Sequence, residues 1–140
     1  ILEVNLVGPA ILTSAISSKM VERGYGRIVN ISSIYGVNSK RGRSSYSSSK
    51  SGLVGLTKAS ALDLADSGIL VNCVCPGFVS TDLTKKILGT KQMSLLKSKI
   101  PLGRLATTKD ISSSVVFLSS EINSYITGQV LVVDGGYIIE

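Results

Sequence analysis

Histidine and tryptophan are both missing from these 140 residues, and cysteine, methionine and phenylalanine occur only twice each. Without histidine, neither a Ser-His-Asp nor a Cys-His arrangement can be assembled from the chain, so any acid or base must be Tyr, Lys, Asp, Glu or Cys. The two cysteines, Cys73 and Cys75 in "LVNCVCPG", would point to one face of a strand, at a spacing unsuited to a disulfide. As metal ligands they have no further Cys or His to join, so no metal site is expected. They read instead as core thiols in a reducing compartment, with a cytoplasmic location as the corresponding expectation.

Long apolar runs are lacking too. Glu3, Asn5, Thr13 and Ser14 interrupt the most apolar segment, which argues against a membrane span of about 18 or more apolar residues. The formal charge of +6 is carried by scattered lysines and arginines, with five Tyr and two Phe available for base stacking. That pattern fits a solvated basic surface, and no nucleic-acid partner is expected.

What is present is a chain with 44% apolar residues, long enough for one domain core or one large piece of a domain. Position 1 is Ile, and residues 1–24 already read as an apolar helix with no preceding cap or basic leader, so a fragment with its natural start upstream is expected. Gly24 and Gly26 stop that helix, and "RIVNIS" follows as a short β-branched strand. A polar loop, "SSIYGVNSKRGRS", leads to a serine-capped helix from about Ser45 to Asp66, whose Leu53, Leu56, Ala59 and Leu62 recur every third residue. "GILVNCVCPG" is a second buried strand. "STDLTKK" opens a helical region broken by Gly89 and ended by Pro101, residues 108–119 form another helix, and "GQVLVVDGG" supplies a third strand. Strands alternating with helices imply βαβ units, a parallel sheet and an α/β layer architecture, with ligands at the carboxyl ends of the strands.

Within "SSYSSSK", Tyr46 and Lys50 stand four apart and share one helix face. A nearby ammonium favours phenolate, so such a tyrosine is able to exchange a proton with an alcohol or carbonyl oxygen. Two other readings compete. Ser-rich tracts commonly form linkers, and Ser47 to Lys50 spells the S-x-x-K of acyl-serine enzymes, although its partner motifs S-D-N and K-T-G do not occur.

Joined to upstream "NISSIYG" and downstream "VNCVCPGFVSTDL", this pair resembles the short-chain dehydrogenase/reductase family, and the similarity extends over essentially the whole chain. The resemblance implies a doubly wound, Rossmann-like parallel sheet of which residues 1–140 are the C-terminal catalytic portion. It also implies a catalytic tetrad of Asn5, Ser33, Tyr46 and Lys50: Tyr46 as general acid or base, Lys50 lowering its pKa and binding the coenzyme ribose, Ser33 holding the substrate oxygen, and Asn5 maintaining a proton path. Ser32, on the opposite strand face, is expected to be structural.

Cofactor contacts implied by the family are Tyr46, Lys50, Pro76, Gly77, Val79 and Thr81, for NAD or NADP; for Thr81 a plain helix cap is the competing reading. The Gly-rich turn that holds a dinucleotide is not found in these residues, so the N-terminal cofactor-binding portion is expected to be absent. The implied function is hydride transfer between a nicotinamide coenzyme and a carbonyl or secondary alcohol, on a small-molecule or carrier-bound substrate, in a homo-oligomer (tetramer or dimer). A truncated, non-catalytic piece retaining only interaction surfaces is the alternative. "IPLGRLATTKDI" and "SYITGQVLVVDGG" are similar to 3-oxoacyl-carrier-protein reductases, but are shared widely across the family. Lys85, Lys86, Lys91, Lys97, Lys99 and Arg104 make the substrate-loop segment basic, which suits either an anionic substrate or a solvated helix face.

Overall fold

The structure, a computed structural model, describes residues 1–87 and 89–140, with side chains throughout those ranges except at positions 83, 85, 87 and 90. A π-helical turn over Glu3–Val7 runs straight into helix α1, Gly8–Arg23, with Pro9 in its first turn and Gly24 closing it at a φ of 63°. Strand β1, Gly26–Ile31, follows. The predicted loop after it contains a short helix, α2 (Ile34–Val37), because the Ser33 hydroxyl accepts the Tyr35 N–H and caps a turn.

Helix α3 spans Ser44–Leu64 and tightens into a last turn at Ala65–Ser67. The expected serine cap is not made: Arg43 occupies the cap position without a side-chain hydrogen bond. Strand β2 is Ile69–Pro76. Helices α4 (Asp82–Ile87) and α5 (Thr90–Lys97) flank Gly89, α6 covers Thr108–Ser119, and β3 is Val130–Val133. Thr107 and Asp110 close a reciprocal capping box at the start of α6.

The sheet is parallel in the order β1-β2-β3, with Gly26 opposite Ile69 at one end and Pro76 opposite Val133 at the other. β2 is the central strand, which is why "ILVNCVCP" is nearly all apolar: Ile69, Val71, Cys73, Val74 and Cys75 are fully buried. Its one amide, Asn72, is buried as well, and is satisfied by donating to the Ile126 carbonyl and accepting the Gln129 N–H that leads into β3. Both cysteines are buried free thiols. The Cys75 thiol beside it, together with burial, pushes the Cys73 thiol well above its ordinary range.

The packing face of α3 differs from the three-residue stripe. Leu53, Thr57, Ser60 and Ala61 are buried, whereas Leu62 is 80% exposed. A strict three-residue spacing falls about 60° short of a full turn at each step, so the stripe rotates off the sheet, and the true face follows the i, i+4, i+7, i+8 pattern. Helix α1, whose Met20 packs with Ala61 of α3 on the same core cluster, buries only Thr13 and leaves Ile11 and Leu12 exposed. The 21-residue helical run Glu3–Arg23 contains an 18-residue window of mean hydropathy 1.2, so by length and composition alone it is able to cross a membrane, despite its polar interruptions.

Candidate functional site

The chain places its reactive groups at the carboxyl ends of β1 and β2. Beyond Ile31 the ladder continues for one bond, Ser32 N–H to the Val74 carbonyl, and then the chain turns. Ser32 and Ser33 diverge as strand neighbours must. The Ser32 hydroxyl donates to the Lys50 carbonyl at 2.9 Å, tying β1 to α3, while Ser33 lines a cavity of about 250 Å³ together with Tyr46 and Gly77. Because Ser33 Oγ accepts from the Tyr35 N–H, its own proton stays available to a ligand.

Two glycines permit this convergence. A Cβ on Gly36 would collide with Ser32 Oγ and stand 2.8 Å from the Lys50 carbonyl oxygen, so only glycine lets α2 press against α3 at the level of Lys50. A Cβ on Gly77 would lie 2.7–2.8 Å from Cβ and Cα of Asp134, where the end of β2 passes the end of β3. Asp134 in turn holds the closing turn, accepting the N–H groups of Gly136 and Ile138.

The serine tract is packed helix and not linker. Ser47 and Ser49 are buried; Ser47 accepts from Ser39, Ser49 donates to the Tyr46 carbonyl, and Ser51 donates to the Gly36 carbonyl. On this turn Lys50 Nζ lies 5.9 Å from the centre of the Tyr46 ring and donates to the Ile31 carbonyl at 2.9 Å. Burial lowers the Lys50 pKa, opposed by electrostatic interaction with the neighbouring cysteines of β2. Asn5, on the π-helical turn, reaches the same helix from the other side, with Nδ2 donating to Ser49 Oγ at 3.2 Å. Asn5 and Lys50 both line a groove of about 380 Å³ along the open edge of β1, distinct from the cavity of Tyr46 and Ser33.

The segment after β2 serves the sheet more than a free loop would. Pro76 is the last residue of β2, the Gly77 N–H donates to the Val133 carbonyl, and Val79 bridges in parallel to Ala106. Thr81 Oγ1 accepts the Thr84 N–H and meets its hydroxyl, so Thr81 acts as the cap of α4. Gly77 and its neighbour Phe78 are the members of this segment that line the Tyr46 cavity.

Sequence reasoning missed the walls of that cavity. Tyr35 stands edge-on to Tyr46 and to Phe78, each at 6.4 Å between ring centres, and Phe78 packs on Tyr137 at 5.0 Å. Arg43 completes the lining. The available signal was the presence of Tyr35, Phe78 and Tyr137 close after the three strands, although nothing in their spacing tells that they meet. Of the basic segment, Arg104 is paired with Asp110 at 2.7 and 3.1 Å, Lys99 borders a neighbouring cavity, and the Lys85 side chain lies outside the described residues. Among the described residues no cluster suited to a metal ion occurs.

Comparisons with known proteins agree with this layout. The family model described as enoyl-(acyl carrier protein) reductase matches residues 1–138. Over 139 residues the chain is 42% identical to 3-oxoacyl-(acyl-carrier-protein) reductase FabG of Rickettsia felis, covering 99% of this chain and 57% of that relative. It is 44% identical over 136 residues to the FabG of Aquifex aeolicus, covering 97% and 54%. Among solved structures, a 4-hydroxyisoleucine dehydrogenase mutant complexed with NADH and succinate matches with a TM-score of 0.94 at 36% identity, covering 100% of this chain and 58% of that one. ElxO with NADP bound matches with a TM-score of 0.92 at 36% identity, covering 97% and 56%. The chain thus spans about half the length of the curated relatives it matches. With its Rossmann-like parallel sheet and a tyrosine and lysine one turn apart at the strand ends, it belongs to the short-chain dehydrogenase/reductase family.

Proposed function

We propose that this chain supplies the catalytic portion of a Rossmann-like NAD(P)-dependent oxidoreductase acting on a carbonyl or secondary alcohol, whether a small molecule or a carrier-bound acyl chain. The observation that carries the proposal is the meeting of Ser33 and Tyr46 in one cavity, with Lys50 a single turn below Tyr46. A nicotinamide coenzyme fits these residues. Lys50 is engaged with one acceptor, Ile31, among the described residues, leaving two donors for ribose hydroxyls. Gly77 lines the cavity of Ser33 and Tyr46 at the end of β2, where a flat ring would lie against its backbone.

When bound, the coenzyme supplies or accepts the hydride. The protein's part is the proton. In reduction, the Tyr46 hydroxyl donates to the carbonyl oxygen as that oxygen gains negative charge, and in oxidation the phenolate takes the alcohol proton. The Lys50 ammonium stabilises the phenolate between these events, and the Ser33 hydroxyl holds the substrate oxygen by a second hydrogen bond. Asn5 steadies the Tyr46 turn through Ser49 and offers its amide carbonyl to a water-linked proton path. Pro76, Val79 and Thr81 would shape the floor on which the coenzyme lies.

Ketone reduction by the purified protein with NADH and with NADPH tests the assignment. Tyr46→Phe is expected to lower kcat by about 10²–10⁴-fold. Full activity in that variant would overturn the role given to Tyr46. A second reading, a non-catalytic piece retaining interaction surfaces, is favoured by the exposed Ile11 and Leu12 of α1 and by the open edge of β1. Coenzyme-dependent turnover by a sedimenting monomer would exclude it, whereas a stable homodimer or tetramer with turnover supports the oligomeric enzyme.

A further inference from the structure

Arg43 has no role in the tetrad, yet its side chain lines the same cavity as Ser33 and Tyr46. It stands at the cap position of α3, three residues before Tyr46, and the two residues line one cavity. Among the described residues its guanidinium makes no hydrogen bond or ion pair, whereas Arg104 is bound by a carboxylate. Burial and the Tyr137 phenol raise the Tyr35 pKa while Arg43 pulls it down, so the guanidinium charge is felt at the Tyr35 wall of the cavity.

The surroundings carry the same sign. An adjoining cavity of about 230 Å³ shares Ile34 and Tyr35 with the first and is bordered by Lys40 and Lys99, and neither cavity has an Asp or Glu in its lining. A planar guanidinium fork that faces no carboxylate of its own protein, beside a proton-donating phenol, is matched to a carboxylate on the ligand. At about 250 Å³ the cavity falls just below the roughly 300–1,000 Å³ of sites for drug-sized ligands. The aromatic faces of Tyr35 and Phe78 suit a short aliphatic segment between the two polar ends.

We propose that Arg43 determines substrate choice by binding the carboxylate of a short oxo acid, or of the corresponding hydroxy acid, whose carbonyl or hydroxyl lies on Tyr46 and Ser33. This deepens the oxidoreductase reading and rests on it. Hydrogen bonds to a charged partner are strong enough for the effect to reach about tenfold or more.

The test compares kcat/KM for 4-oxopentanoate and its neutral counterpart 4-oxopentanamide, with NADH and NADPH, in the protein and in Arg43→Gln and Arg43→Lys. The acid-to-amide ratio cancels any loss of folded enzyme. A ratio above about ten that collapses toward one in Arg43→Gln and largely survives in Arg43→Lys is the expected result. A ratio near one in the unaltered protein, or one that survives Arg43→Gln, overturns the proposal. Calorimetric titration of 4-oxopentanoate without coenzyme separates the two levels. If no ketone is turned over, the oxidoreductase reading fails, while acid binding that disappears in Arg43→Gln still upholds the anion site and its absence sinks it.

Discussion

Helices α1 and α3 lie beside the same sheet and are both rich in aliphatic residues, yet they bury themselves by opposite means. α3 buries Ser47, Ser49, Thr57 and Ser60 alongside Leu53 and Ala61, so much of its contact surface is small hydroxyl side chains with internal hydrogen-bond partners. α1 buries a single threonine, and its Ile11, Leu12 and Ile16 remain exposed. Apolar content therefore does not rank the two helices by burial. Close approach does: small residues let α3 come near the sheet and α2, and that nearness is what seats Tyr46 and Lys50 against the strand ends.

Substitutions in the two helices are expected to separate sharply. Leu53→Ala should be the most damaging, lowering unfolding free energy by about 2–5 kcal/mol in urea titrations, because its side chain is almost fully buried. Gly36→Ala should follow at about 1–3 kcal/mol, since its new methyl meets the Lys50 backbone, which cannot swing away. The same variant should also impair turnover beyond its loss of stability, by moving the turn that carries Lys50.

Away from either helix, Thr107→Ala should cost about 0.5–2 kcal/mol through loss of the α6 cap. Its partner Asp110 gives that end of the molecule a pH signature. The Arg104 guanidinium, with hydrogen bonds from Thr107, holds the Asp110 carboxyl well below the usual carboxylate range. A depressed acid stabilises the folded state fully above its unfolded pKa of about 3.9, and that contribution fades as pH falls further. Asp110→Asn should therefore narrow its stability gap from the unaltered protein only below about pH 4, as followed by thermal melts across an acid series. Smallest of all, Leu12→Ala should change stability by less than about 0.5 kcal/mol, because that side chain is 64% exposed. A loss as large as that of Leu53→Ala would mean that α1 is covered in solution, and would make its outer face an interface.

Much of the fold was legible because it rests on local rules. The β-branched runs became the three strands, Gly24 ended α1, the helix over residues 108–119 appeared as α6, and the four-residue spacing of Tyr46 and Lys50 held on α3. The short helix α2 escaped notice because one hydroxyl, Ser33, converts a polar loop into a capped turn. The face of α3 was misassigned because leucines were given more weight than serines, although in a tight interface the smaller residue is the one that fits.

For the candidate site, sequence by itself determined the chemistry on offer: a phenol, an ammonium, a hydroxyl and an amide, with no imidazole to compete. It also determined that phenol and ammonium share a helix face, since that follows from helical geometry alone. Only the tertiary structure decided that Ser33 and Tyr46 open into one cavity while Asn5 and Lys50 border another groove. It alone decided, too, that Tyr35 and Phe78 wall that cavity, with Tyr137 packed against Phe78, and that Arg43 lines it. These residues come from different strand ends and turns, and their meeting depends on how the strands stack in the sheet. No local propensity encodes that arrangement.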